Sequence, residues 1–151
     1  MEKKTIDETP NRGNAPAEIQ IREVLDNVAT SFSMLDMDAW FQCFHSPFLI
    51  VLPNAVISPS SASECQKLFQ PLIDRLRTQD FAKTKLESVS MNFLTETTAI
   101  VATDWTRNNS HDEVIETLGA TYLFAQLNGS WRIAVVTLHT AGRLSFDAGK
   151  H

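Results

Sequence analysis

Cysteine is scarce in this chain of 151 residues, with only Cys43 and Cys65. Neither has a close-spaced partner of the kind a zinc site or a disulfide framework uses, and both sit inside apolar helical patterns. They read as buried thiols in a reducing compartment. No apolar run is long enough to cross a bilayer, and the early Lys3 and Lys4 are not followed by the apolar core of a signal peptide. The 13 basic residues are scattered against a net charge of -5, so no footprint for a phosphate backbone exists. Glycine-rich phosphate loops, dinucleotide fingerprints and the G-x-S-x-G elbow are all missing. The four histidines have no close spacing, which gives no metal site. No cofactor, nucleic acid or membrane partner is therefore expected. A single soluble, cytoplasmic domain is, since this length is enough to bury roughly two-thirds of the chain's surface.

The pattern along the chain divides it in two. Residues 1–16 (MEKKTIDETPNRGNAP) are polar and contain Pro10, Gly13 and Pro16, and the expectation is a disordered tail. From Ala17, Ile21, Val24, Leu25, Val28, Phe32 and Leu35 recur at helical spacing. Asp36 is placed to cap a second helix, DMDAWFQCF, limited by Pro47. FLIVLPNAVI reads as two short strands around a Pro53-Asn54 turn. Ser61 and Glu64 have capping-box spacing at the head of a third helix, in which Pro71 predicts a kink or a break. After Phe81 the period changes to two, and four long strands follow, with Asn128-Gly129 as a hairpin turn. Residues 17–141 form the expected domain and 142–151 a flexible C-terminal tail.

Three helices before an antiparallel meander pack as a layer on one face of a curved sheet, an α+β architecture. In YLFAQL and WRIAVV both parities are largely apolar, whereas a sheet with one wet face alternates. An uncovered apolar face on a soluble protein marks an interaction site, so a homodimer through the outer sheet face is expected.

The order of a first helix, LDMDAWFQCFHSPFLIVLPNAVI, a third helix, a four-strand meander and a closing NGSWRIAVVTLHT resembles the nuclear transport factor two-like superfamily. The likeness is greatest to its SnoaL-like (polyketide-cyclase-like) members and covers roughly residues 17–140. It implies a cystatin-like, cone-shaped α+β barrel, with the sheet curled around the helices and a pocket at the wide end. Members of the family include isomerases, dehydratases, hydrolases, cyclases and proteins without known catalysis.

Candidate site residues follow from strand parity. Asp104 is the only carboxylate in the apolar part of AIVATDWTR. Facing a dry pocket it would serve as a general acid or base; facing solvent, or paired with Arg107 or Arg132, it is structural. His139 shares parity with Trp131, Ile133, Val135 and Thr137, which puts it on the pocket side at the strand's end if those face the helices. There it would hold or shuttle a proton, or simply bond a backbone carbonyl. His45 reads as a cap of the second helix or as a pocket-rim residue. Trp40, Phe44, Trp105 and Tyr122 are core residues or the lining of an apolar cavity, with the Tyr122 hydroxyl as orienting group. No second carboxylate stands ready to pair with Asp104, because Glu87 and Glu116 lie among polar neighbours and read as exposed.

Two functions are consistent with this pattern. One is a small-molecule-binding protein, with cofactor-independent acid/base chemistry by Asp104, His139 and Tyr122 if it is an enzyme. The other is a non-catalytic dimerisation or protein-interaction module with a packed interior. A void of roughly 300 Å³ with Asp104 or His139 on its wall separates the first from the second.

Overall fold

The apolar stripe of the first helix fixes its seat. In the computed structural model, which describes residues 10–143 and side chains from residue 14, helix α1 runs Pro10–Ser33. Ile21, Leu25, Val28 and Phe32, spaced to fall on one side, are buried there. The helix starts upstream of the expected boundary at Ala17 and continues through Pro16, so residues 10–16 are helical rather than a disordered tail. Residues 1–9 and 144–151, the rest of the two expected tails, lie outside the described residues.

Helix α2 is short, Met37–Phe41, and begins where expected, with the Asp36 side chain accepting from the Ala39 amide at 3.1 Å. It ends earlier than expected because strand β1, Phe44–Leu52, takes up the rest of the aromatic stretch. Strand β2, Ala55–Ile57, folds back on β1. Helix α3, Ala62–Thr78, opens with the Glu64 amide donating to Ser61 Oγ. The Glu64 carboxylate reaches back one residue further than a capping box requires, to the Ser60 amide and hydroxyl. Pro71 does not break α3, which is one continuous helix burying Cys65, Phe69, Ile73 and Leu76.

The meander is four long strands: β3 Phe81–Thr95, β4 Thr98–Asn109, β5 Val114–Leu127 and β6 Ser130–His139. Asn128 and Gly129 both have positive φ, 54° and 81°, as the β5–β6 turn demands. The sheet order is β2-β1-β6-β5-β4-β3, with β1 parallel to β6 and every other pairing antiparallel. Helix α1 packs across β3 and β6, and α3 packs on α2 and touches β3. The helices thus cover one face of the curved sheet, as a layered α+β fold requires.

One irregularity decides which residues meet the helices. Phe124 pairs with Ile133 and Leu123 with Val135, so Ala134 is an extra residue in β6. Before it Trp131 and Ile133 face the helices; after it Val136 and Leu138 do, in register with Tyr122 and Ala120. Cys43 and Cys65 are buried free thiols, and burial pushes both up to about 11. Among the described residues no helix is long and apolar enough to cross a membrane.

Phe124 is fully buried at the centre of the inner face. Phe124→Ala is expected to cost about 3–5 kcal/mol in urea unfolding, through lost transfer energy plus a cavity; a loss below about 1 kcal/mol would contradict this placement.

Candidate functional site

The inner face of the sheet is built in transverse rows. Ala99, Phe124 and Ile133 form one, Val101, Tyr122 and Val136 the next, then Thr103, Ala120 and Leu138, and finally Trp105 with Leu118 and Arg107 with Glu116. Ala120 is small between Leu118 and Tyr122 on this face of β5, and a cavity opens over it. Its volume is about 60 Å³. Helix residues Val28, Phe32, Trp40, Phe69 and Leu72 close it from above, and Tyr122, Trp105, Leu118, Val136 and Leu138 form its floor. Three polar side chains reach the wall: Thr84, Tyr122 and Arg107.

These groups are tied down from beneath. Trp105 Nε1 donates to Thr103 Oγ1 at 2.7 Å, and that hydroxyl donates to the Ala120 carbonyl at 2.6 Å. Burial pushes the Tyr122 phenol well above its ordinary value, against smaller opposing effects of Thr103 and Trp105. It stays protonated through the physiological range. Arg107 is 9% exposed, with its guanidinium over the Phe32 ring at 4.9 Å. Its Nη1 donates to Glu116 Oε2, and Arg75 bonds the same carboxylate from α3, with Nη1 3.1 Å from Oε1. Burial lowers the Arg107 pKa and the Glu116 contact raises it.

The outer face holds the other two candidates. Asp104 and His139 both stand in register with Gly119, two strand spacings or roughly 10 Å apart. Asp104 does not face the cavity: its Oδ2 accepts from Ser88 Oγ at 3.0 Å and its Oδ1 from the Gly142 amide at 2.8 Å. His139 does not face it either, because the extra residue Ala134 reverses the parity of everything after it. Thr140 O lies 2.8 Å from Nδ1 and Thr121 Oγ1 2.7 Å from Nε2. A carbonyl only accepts, so in the neutral ring Nδ1 carries the proton and the Thr121 hydroxyl donates to Nε2. The ring lies over Gly119, where a Cβ would stand 2.4 Å from His139 Cε1.

Of the expected lining set, Trp40, Trp105 and Tyr122 meet at the cavity. Phe44 is a core residue beneath it, its ring 4.4 Å from Trp40. His45 is no helix cap: it lies in β1, where Nε2 donates to the Ala125 carbonyl at 2.7 Å, away from the cavity. No cluster of metal-ligating side chains occurs among the described residues.

Comparison with known proteins agrees with this fold. The family model described as NTF2-like protein (DUF6841) matches residues 17–141. The chain belongs to that family. An NTF2-like protein with a cystatin-like fold from Novosphingobium aromaticivorans superposes with TM-score 0.68 at 12% identity, covering 97% of each chain. A protein of unknown function with a cystatin-like fold from Nostoc punctiforme gives 0.67 at 14% identity over 84% of this chain and 92% of its own. An NTF-2 like protein of unknown function from Shewanella oneidensis gives 0.63 at 14% identity, over 82% and 98%. At such identities these structures establish the fold alone. No curated protein matches the chain.

The sequence reading of this NTF2-like chain missed Arg107 as a wall residue of the cavity and Glu116 as its ion-pair partner. The signal was present, since Arg107 shares the parity of Val101, Thr103 and Trp105, whereas Asp104 has the opposite one. Glu116, read as exposed, is half-buried because it pairs across the strand with Arg107. Desolvation raises its pKa, but the bonds from Arg75 and Arg107 outweigh this and leave it below the ordinary 4.5. Its ionised form therefore stabilises the fold above that value, and the contribution is lost as pH falls through the lower folded value. Glu116→Gln is expected to be less stable than wild type near neutral pH, with the gap closing in denaturant titrations as pH falls below the ordinary carboxylate range. A pH-independent gap would refute the linkage.

Proposed function

We propose that this protein binds a small, largely apolar molecule in the cavity between its helices and the inner face of its sheet, without an acid/base pair of its own. The observation that carries this is the composition of the wall: apolar and aromatic surface on both layers, with few polar groups placed among it. Core packing alone does not call for a void here, since interiors otherwise fill to crystal-like density. Neither a carboxylate nor an imidazole lines the cavity, Asp104 and His139 being on the outer face. Tyr122 is held in its protonated form and suits hydrogen bonding to a ligand better than proton abstraction. At about 60 Å³, with neither Asp104 nor His139 on its wall, the cavity falls short of the roughly 300 Å³ acid/base site set out above, so the reading rests on wall composition alone and limits the occupant to a compact molecule.

Filling the void tests this reading. Small apolar fragments are expected to shift the indole resonances of Trp40 and Trp105 in wild type, and Ala120→Leu is expected to abolish those shifts while keeping the fold. Shifts that persist unchanged in Ala120→Leu, or no fragment response at these two indoles, would refute it.

A second reading concerns the outer face. Ile100, Leu123, Val135 and Leu49 stand in register across four strands, and Leu49 is 39% exposed. The neighbouring row, Ala102, Thr121, Thr137 and Val51, is small and uncharged. A second copy of this chain is the occupant that suits such a face, because an apolar row flanked by hydroxyls can meet its own copy about a two-fold axis. Leu123→Arg is expected to convert a dimer into a monomer in sedimentation equilibrium; a monomeric wild type at micromolar concentration would contradict it.

A further inference from the structure

Arg107 sits at the end of the cavity with more donor capacity than its protein partners use. Its Nη1 is bonded to Glu116, and Phe32 occupies one face of the guanidinium plane. Its Nε is buried and has no hydrogen-bond partner. An unsatisfied donor on a buried charged group carries the full cost of its desolvation, which proteins rarely tolerate without a purpose. The local charge is also unbalanced. Glu116 is shared between Arg107 and Arg75, so two guanidiniums face one carboxylate. Arg75 is about half exposed and is largely served by solvent, whereas Arg107 is not.

Beside Arg107 the wall carries the Thr84 hydroxyl, in register with it on β3 and donating to the Thr106 carbonyl at 3.2 Å, while Val28, Leu72, Leu118 and Leu138 supply hydrocarbon. Size then narrows the class. One water-sized position needs roughly 10–15 Å³ on this measure, so the cavity of about 60 Å³ holds about four to six such positions. That is room for a carboxylate and a few carbons, and too little for a fused-ring or long-chain molecule.

Building on the pocket reading above, we infer that the natural ligand is a short, branched aliphatic monocarboxylate, its carboxylate held by Arg107 and its hydrocarbon end lying over Ala120 towards Val136. A planar guanidinium edge matches a carboxylate in geometry and charge, and a charge-assisted bond in a dry site is stronger than a neutral one. The apolar remainder supplies the selectivity against acetate and inorganic anions, which would leave the void unfilled.

The test uses 3-methylbutanoate and its neutral isostere 3-methylbutanamide, titrated into the full chain by calorimetry and followed at the Trp105 indole. The acid is expected to bind about tenfold or more tightly than the amide, and acetate more weakly than either branched ligand. Arg107→Met is expected to erase the preference for the acid while retaining the amide. Should that variant fail to fold, the comparison of acid, amide and acetate on wild type still decides the matter. Equal binding of acid and amide would overturn the carboxylate assignment and leave the apolar pocket standing. Failure of both ligands, with neutral fragments still shifting Trp40 and Trp105, would also overturn it. Failure of the fragments as well would remove the pocket reading on which it rests.

Discussion

The extra residue Ala134 in the last strand is the constraint on which the inner surface depends. Two registers meet there: Trp131 and Ile133 close the narrow part of the core against Phe93 and Phe124, while Val136 and Leu138 line the open part beside Tyr122 and Ala120. Were Ala134 paired in a regular ladder instead of bulged, Val136 and Leu138 would turn outwards and Val135, Thr137 and His139 would turn in. The cavity floor would then keep a valine opposite Tyr122 but carry the Thr137 hydroxyl in place of Leu138, with the His139 imidazole beyond it. The bulged pairing of one residue thus separates an apolar pocket from one carrying an imidazole.

That shift sends His139 to the outer face, where Asp104 already stands by its own parity in β4. Asp104 and His139 are each fully engaged with neighbouring hydroxyls, amides or carbonyls, and His139 lies against a glycine that leaves room for nothing else. Such groups hold the end of the sheet together. They link Ser88 in β3, Thr121 in β5 and the segment after β6, so the strand ends are tied laterally by side chains as well as by the backbone ladder.

Much of the architecture was legible from short-range chemistry. Asp36 and Ser61 could be read as helix caps because their side chains satisfy amides within their own first turn. Asn128-Gly129 announced a hairpin because both residues accept positive φ. The family resemblance was carried by the order of such elements. What depended on long-range pairing was not legible. The parallel pairing of β1 with β6 draws the chain into a strand from Phe44 onward, so His45 lost its expected place at a helix end. The bulge shows in WRIAVVTLH only as a change of apolar parity from Trp131 and Ile133 to Val136 and Leu138, which the continuous apolar run from Ile133 to Val136 masks. Glu116 looked like a surface residue until the β4–β5 register set it beside Arg107.

Xenon addresses the apolar void between Ala120 and the helix layer directly. Crystals pressurised with xenon should show an atom bound among Phe32, Trp105, Ala120 and Val136, as apolar cavities of this kind take up the gas. Xenon bound only elsewhere, with side chains filling this space, would contradict the account.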